Sequence, residues 1–300
     1  MELSRRTLLL GAATWGAVGV HAWSRSVGPR HRGDWRLVTW NLRNYGGHAE
    51  ARSRHAPGHD LDRLARTLSG LDADVLCLQE VKAPDALARV LPGYRWDAST
   101  SGGAHTQHLV IARRDSIQAR AARTHPCTQI EPGCRPALTQ AVELGGRWVT
   151  IVVVHLKAGP RGHGLRRRQR DALVPWLSSL PAPRVLVGDF NTTGPVAGDP
   201  ETEITSLHRQ LARAGLRSAR LVRNCTAYWE GGRHDRFKEP SILDHVFLDG
   251  AARDAPAVQA APGSHCRRHA CEPFISTAAY PDLDYERVSD HCPIVVDVSS

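Results

Sequence analysis

Eight short apolar runs, most of them closed or interrupted by a polar group, constrain this chain more than any other feature. They are RLVTWNL, ADVLCLQEV, QHLVIAR, LTQAVEL, WVTIVVVHL, RVLVGDF, ILDHVFL and CPIVVDV. Short runs rich in β-branched and aromatic residues read as strands rather than helices. Amphipathic helical patterns lie between some of them. Leu61, Leu64, Leu68 and Leu71 follow the 3.6-residue period, and Leu165, Leu173, Leu177 and Leu180 do so more loosely. A third helix is expected over Glu203 to Leu216, ending near Gly215. No internal repeat signals a solenoid. At least eight strands with few helices call for two packed sheets flanked by helices.

The ends of these runs carry the chemistry. TWNLRN ends in Asn41 and Asn44, and LCLQEV carries Gln79 and Glu80. VVVHLK gives His155 and Lys157, and VLVGDFN gives Asp189 and Asn191. ILDHVFL brings Asp244 and His245, and VSDHCP brings Asp290 and His291. One such group reads as a local strand terminator. Six runs carrying them point to convergence, because a buried carboxylate needs a partner or a metal. Oxygen ligands without a cysteine set suit a hard divalent cation, Mg²⁺ first, with Mn²⁺ or Ca²⁺ as alternatives. Histidines beside such an ion supply proton transfer near neutral pH. The combination describes hydrolysis of a phosphate ester by activated water. Competing chemistries lack their motifs: there is no G-x-S-x-G, no phosphate-binding G-x-x-x-x-G-K-[ST], no H-E-x-x-H and no C-x-x-C.

The formal net charge of +9 favours a polyanionic partner. Arg5 and Arg6 stand before an apolar run from Thr7 to Val20, so residues 1–22 read as a twin-arginine export signal, with a Sec signal or an uncleaved anchor as the alternative. Residues 23–34 read as a linker and 35–300 as the working domain, exported to the periplasm or outside the cell. Removing the signal leaves the domain strongly basic, and the run is too short and too rich in Gly and Ala for a confident membrane span. No membrane insertion is expected after processing. Seven cysteines in an exported chain invite disulfides. Cys77 reads as a buried free thiol, and Cys127 with Cys134 and Cys266 with Cys271 are the candidate pairs. HCRRHAC, with His265, Cys266, His269 and Cys271, reads as a disulfide loop ahead of a zinc site.

WNLRN, LCLQEV, HLK, GDFN, LDHVFL and SDHCP, in that order, resemble the endonuclease/exonuclease/phosphatase superfamily with the deoxyribonuclease-I-like fold. The resemblance spans Leu37 to Val298. It implies an α+β fold, a four-layer α/β/β/α sandwich of two mainly antiparallel sheets, with the site at one open end. It implies metal ligation by Glu80, with Asn41 and Asp290 nearby. It implies that Asp189 orients or deprotonates water, that Asn191 holds a phosphate oxygen, and that His291 contacts the scissile phosphate. Asp244 is the implied partner of His291, and His155 would serve the leaving oxygen.

Two features depart from that pattern. The segment KAGPRGHGLRRRQR is strongly basic, so Lys157 and Arg166 are candidate phosphate contacts, as is Arg135 in CRPAL. The loop from Tyr45 to Asp60, with His48, His55 and His59, has no role in the resemblance. The expected activity is a metal-dependent nuclease, acting on DNA ahead of RNA, with no protein partner evident. A sphingomyelinase-like or inositol-phosphate phosphatase activity comes second, because no aromatic or aliphatic insertion for entering a bilayer is evident. A catalytically silent binding module comes last, because Glu80, Asp189, Asn191, Asp244 and His291 are all present.

Overall fold

The computed structural model describes residues 34–47, 58–100, 107–193, 202–230, 236–249 and 258–299. The segment expected to be an export signal, nearly all of the expected linker, His48 and His55 lie outside the described residues. Sixteen strands are numbered in chain order: β1 Trp35–Tyr45, β2 Val75–Val81, β3 Tyr94–Ala98, β4 His108–Arg114, β5 Arg123–His125, β6 Ala137–Leu144, β7 Arg147–His155 and β8 Arg184–Asp189. They continue with β9 Arg217–Ser218, β10 Arg220–Leu221, β11 Ala227–Trp229, β12 Phe237–Ser241, β13 Asp244–Leu248, β14 Gln259–Pro262, β15 Phe274–Ile275 and β16 Ile294–Val298. The α-helices are α1 Leu61–Leu71, α2 His163–Ser179, α3 Glu203–Arg213, α4 Ser264–Arg268 and α5 Leu283–Arg287.

One sheet runs β10-β14-β16-β1-β2-β4-β3 and the other β5-β6-β7-β8-β13-β9, with a third, small sheet β11-β12-β15. Most neighbours are antiparallel. The parallel pairs are β1 with β2, β7 with β8, and β10 with β14. The first two are joined by α1 and α2, as a parallel crossover requires.

Alternation along each central strand fills two cores at once. Leu37, Cys77 and Ile111 meet Ile151, Val153 and Val187 between the sheets. Val38, Trp40, Leu76 and Leu78 point the other way, against Leu64, Leu68 and Leu71 of α1. On the opposite side Val152, Val154, Leu186 and Phe247 pack on Leu173 and Leu177 of α2 and Leu207 and Leu211 of α3. The result is the four-layer sandwich expected from the sequence, and all eight runs are strands. Asp60 caps α1 by accepting the backbone N–H of Arg63 at 2.9 Å, and Gly215, at φ 81°, follows α3.

Both expected cysteine pairings are incorrect. The disulfides are Cys225–Cys271 and Cys266–Cys292, while Cys127 and Cys134 are free. Chain proximity misled here. Cys127 packs towards α2, whereas α4 carries Cys266 to the mouth of β16, where Cys292 sits. Cys77 is free and buried, as expected. His265, Cys266 and Cys292 come together, but both thiols are spent in a disulfide and offer no thiolate. Among the described residues no helix is long and apolar enough to cross a membrane.

Candidate active site

The parallel pairs β1/β2 and β7/β8 send four strand ends to one edge, and β13 starts there, Asp244 pairing with Asp189. Gly188 makes the junction possible. Its φ is 135°, and a Cβ there would lie 2.0 Å from the carbonyl oxygen of Val154. Only glycine lets β8 approach β7 so closely that His155 and Asp189 face each other in register. Left-handed backbone recurs around the edge at Arg43 (φ 45°), Asn44 (φ 61°), Glu80 (φ 56°) and Asn191 (φ 51°). Such conformations cost energy for residues with a side chain and cluster at functional sites. The β1/β2 register shifts between Asn41 and Tyr45, and the β2/β4 register between Leu78 and Val81. These irregularities break simple alternation: Gln79 is buried, donating to Thr39 and Cys77, while Glu80 stands at the partly exposed rim.

Asp189, Asp244 and His291 form the tight centre, with ligand atoms all within 4.8 Å of one another. His291 Nδ1 lies 2.8 Å from Asp244 Oδ2, and its Nε2 lies 3.8 Å from Asp189 Oδ2. Burial alone would lower the His291 pKa, but Asp244 and then Asp189 hold it well above the ordinary 6.5. The imidazolium is therefore the stable form, and its Nδ1–H donates to Asp244. Asp189 is almost fully buried, and that burial pushes its carboxyl up to about 7, with His291 opposing and Asp244 adding to the rise. Its Oδ2 accepts the Asn41 Nδ2–H at 3.0 Å, and its Oδ1 accepts the Asn191 backbone N–H at 2.8 Å. Asn191 Nδ2 donates to the Leu156 carbonyl at 3.2 Å.

His155 is the opposite kind of histidine. Its Nε2 is 3.3 Å from Asp189 Oδ2 and 3.8 Å from Glu80 Oε1, yet neither ring nitrogen makes a hydrogen bond. Burial first, then Arg135 and His291, drive its pKa well below 6.5, so it is neutral. Arg135 sits near Glu80 and Asp189 and is held by Gln107: Nε donates to Gln107 Oε1 at 2.9 Å, and Gln107 in turn donates to Asn44 at 2.6 Å.

Asn41 Oδ1 already accepts the Arg43 N–H at 2.9 Å, and the Asp290 carboxylate, one-third exposed, lies 3.7 Å from Arg43 Nε. Burial would raise the Asp290 pKa, but Arg43 and His291 bring it below the ordinary carboxylate value. The unpaired His155 Nε2, near the carboxylates of both Glu80 and Asp189, marks a buried polar pocket edge with an unmet partner. Oxygen donors at such an edge fit a hard divalent ion.

Arg166 is not a phosphate contact. It is fully buried, and its guanidinium is committed to Glu203, Thr193 and two carbonyls. Arg170 is also buried against Glu203, and Arg168 pairs with Glu131 at the surface, so the segment's exposed charge is carried by Arg161, Arg167 and Arg168. Lys157 is half-buried and lines a cleft with Ala158 to Gly162 and Leu165. His59 contacts the Leu42 carbonyl at 2.8 Å, outside the centre.

Several supporting residues were not singled out from sequence. Ser289 Oγ donates to the Asn41 carbonyl at 2.6 Å and accepts the His291 N–H at 3.1 Å. Trp40 Nε1 donates to the His291 carbonyl at 2.9 Å, and Thr226 Oγ1 accepts the Asp244 N–H at 2.9 Å. Nothing local to Trp40 or Thr226 announces these long-range contacts. The small sheet carries exposed apolar residues that were not singled out from sequence. Trp229, Phe237 and Ile275 are each about half exposed (51%, 52% and 55%) and lie on one face of the small sheet, since Trp229 pairs with Glu239 and Phe237 with Ile275. That face starts beside Ala227, which bridges to His291.

A two-sheet sandwich with carboxylates, amides and two oppositely tuned histidines at its open edge defines a phosphoric ester hydrolase of the deoxyribonuclease-I-like class. Residues 38–291 match the model of the Endonuclease/Exonuclease/phosphatase family, and the chain belongs to that family. Members of this family are typically divalent-metal dependent. Solved structures of the same fold include TDP2 of D. rerio complexed with a single-strand DNA product, 18% identical, with 88% of this chain and 98% of that one covered at a TM-score of 0.61. The mannosyl-6-phosphatase of Bacteroides thetaiotaomicron VPI-5482 is 17% identical, covering 88% of this chain and 99% of its own at a TM-score of 0.60. The human Nocturnin catalytic domain, with bound sulfate anion, is 19% identical over 88% of this chain and 94% of its own, at a TM-score of 0.57. No curated protein matches this chain.

Proposed function

We propose that this chain is an exported, Mg²⁺-dependent phosphodiesterase that hydrolyses nucleic acid, DNA ahead of RNA. The observation that carries the reading is the opposed pair of histidines around Asp189: His291 held charged by Asp244, His155 held neutral by burial. Environments that push two titratable groups apart assign their roles. The His291 imidazolium holds a non-bridging phosphate oxygen. Asp189, with its carboxyl near neutrality, takes the proton from the attacking water. The second amide N–H of Asn191 is suited to another phosphate oxygen, and His155, neutral, hydrogen-bonds the leaving oxygen through one N–H as the P–O bond breaks, that oxygen taking its proton from solvent. Arg135 and Lys157 supply positive charge beside the phosphate. Glu80, with Asn41 and Asp290, would hold the divalent ion. The ion, when bound, would polarise the phosphoryl group and lower the pKa of water.

A basic chain suits a polyanionic substrate. Export is supported by Arg5–Arg6 ahead of the apolar run and by two disulfides, which persist in oxidising compartments. A second reading, hydrolysis of a phospholipid headgroup, gains one observation: the exposed apolar face of Trp229, Phe237 and Ile275 on the small sheet, whose Ala227 end bridges to His291. The experiment is to give residues 23–300 plasmid DNA, RNA, sphingomyelin vesicles and mannose 6-phosphate, with Mg²⁺ or a chelator, beside His291→Ala. Metal-dependent cleavage of polynucleotide, lost about 10³-fold in the variant, is expected. Turnover of vesicles with nucleic acid untouched would replace the first reading by the second.

A further inference from the structure

Beneath the site lies a buried polar cluster that no catalytic step uses. Glu203 of α3 is fully buried and accepts five hydrogen bonds. They come from Arg166 Nε (2.8 Å) and Nη2 (2.8 Å), Arg170 Nη1 (2.8 Å), the Thr193 backbone N–H (2.9 Å) and Thr193 Oγ1 (3.1 Å). Arg166 continues the chain of contacts. Its Nη1 donates to the carbonyls of Lys157 (2.8 Å) and Gly159 (2.7 Å), and its Nη2 reaches Thr193 Oγ1 (3.2 Å). A Cβ on Gly162 would lie 2.9 Å from Arg166 Nη1, so the helix start is shaped around this guanidinium. One turn on, Gln169 accepts the Lys157 N–H at 2.9 Å and donates to the Thr128 carbonyl at 2.7 Å. Thr128 Oγ1 donates to the carbonyl of Arg135 at 2.7 Å.

The segments tied together are those that carry the site. Lys157–Gly159 follows His155, Thr193 follows Asn191, and Thr128 holds Arg135. Two cations against one carboxylate leave the trio with net positive charge, and burying it is costly. Apolar side chains of similar volume would fill the same space. What they would not do is join one side chain to two backbone carbonyls, a threonine and a carboxylate, and only the planar fork of arginine has enough fixed donors for that.

We propose that Arg166, fixed by Glu203, is a positioning residue that sets the loop after β7 against the loop after β8, and so aligns His155, Lys157 and Asn191 on one phosphate. The inference rests on the phosphodiesterase reading. A small displacement of such groups costs turnover rather than binding, because alignment matters most in the transition state. The test replaces the trio with apolar residues, Arg166→Met, Arg170→Met and Glu203→Leu together, and uses bis(4-nitrophenyl) phosphate with Mg²⁺. The expected result is a folded protein melting within about 5 °C of the parent. Its kcat should be about 100-fold lower, with KM changed less than about threefold. A folded triple variant with the parent kcat overturns the proposal. Should that variant not fold, Arg166→Lys carries the test: it keeps the charge but gathers its donors on a single nitrogen in place of the planar fork, and the same loss of kcat is expected, whereas a retained kcat overturns the proposal. If the parent itself hydrolyses nothing, the phosphodiesterase reading falls and positioning is read by amide exchange. The Lys157 and Thr193 amides should then exchange at least about tenfold faster in Arg166→Lys, and unchanged exchange overturns the proposal.

Discussion

The sandwich and the small sheet beside it are stabilised by different means. The sandwich has three apolar clusters, one between the sheets and one under each helical layer. The region built from β11, β12, β15, α4 and α5 has a single small cluster, Cys225, Tyr228, Cys266, Phe274, Tyr285 and Cys292. Half of that cluster is cysteine, and two disulfides cross it. A core of this size buries too little apolar surface to stand alone, and covalent staples offset the shortfall. Yet this region carries one wall of the site. Ala227 bridges to His291, the Tyr228 N–H donates to the Asp290 carbonyl, and Cys292 follows His291 directly. The difference teaches that His291 is fastened to the stapled region, while its partners Asp189 and Asp244 belong to the apolar sandwich.

Cutting into the sandwich should have the largest effect on stability. Leu76→Ala empties a fully buried position between β2 and α1 and should cost about 2–5 kcal/mol in denaturant unfolding. A loss below 1 kcal/mol would mean that this layer contributes less than its burial implies. Removing one staple, Cys266→Ala with Cys292→Ala, should cost about 2–4 kcal/mol, but locally. Amide exchange should quicken over residues 258–292 and leave β6, β7 and β8 protected, with turnover reduced through His291. Uniform loosening would dissolve the contrast between the two regions.

Acid should press on both regions. Burial drives His245 in the sandwich down to about 3 and His265 in the stapled region down to about 4, from an ordinary 6.5. Between those values and 6.5 the unfolded chain binds the extra protons, so stability falls as pH falls through that window. Comparable acid sensitivity in the two regions by amide exchange at pH 5 is expected, and opening of the stapled region alone would show that one histidine dominates. The smallest effect on stability belongs to Trp229→Ser on the exposed face, within about 0.5 kcal/mol. Its value is in activity: loss of turnover on vesicles with DNA cleavage kept would assign this face to lipid.

Arg166 and His155 show what local pattern reading reaches. His155 at the end of VVVHLK drew notice because polar groups close or interrupt six apolar runs, a pattern read along the chain. Arg166, within LRRRQR, read as a phosphate contact, since nothing within ten residues carries the acid that claims it. Glu203 lies 37 positions away, on another helix. The disulfides misled in the same way, because Cys225–Cys271 and Cys266–Cys292 join residues 46 and 26 apart, far beyond the short loops preferred from spacing.

By itself the sequence determined the eight central strands, the three principal helices, and the polar groups at their ends. Period and apolar content act over a few residues, and burial on both faces makes the pattern strict. Tertiary structure decided which arginines are spent inside, which cysteines meet, and which histidine is charged. Those outcomes depend on the field and contacts of groups distant in the chain: Asp244 is 47 residues from the histidine it holds protonated, and Asn41 is 148 from the carboxylate it steadies.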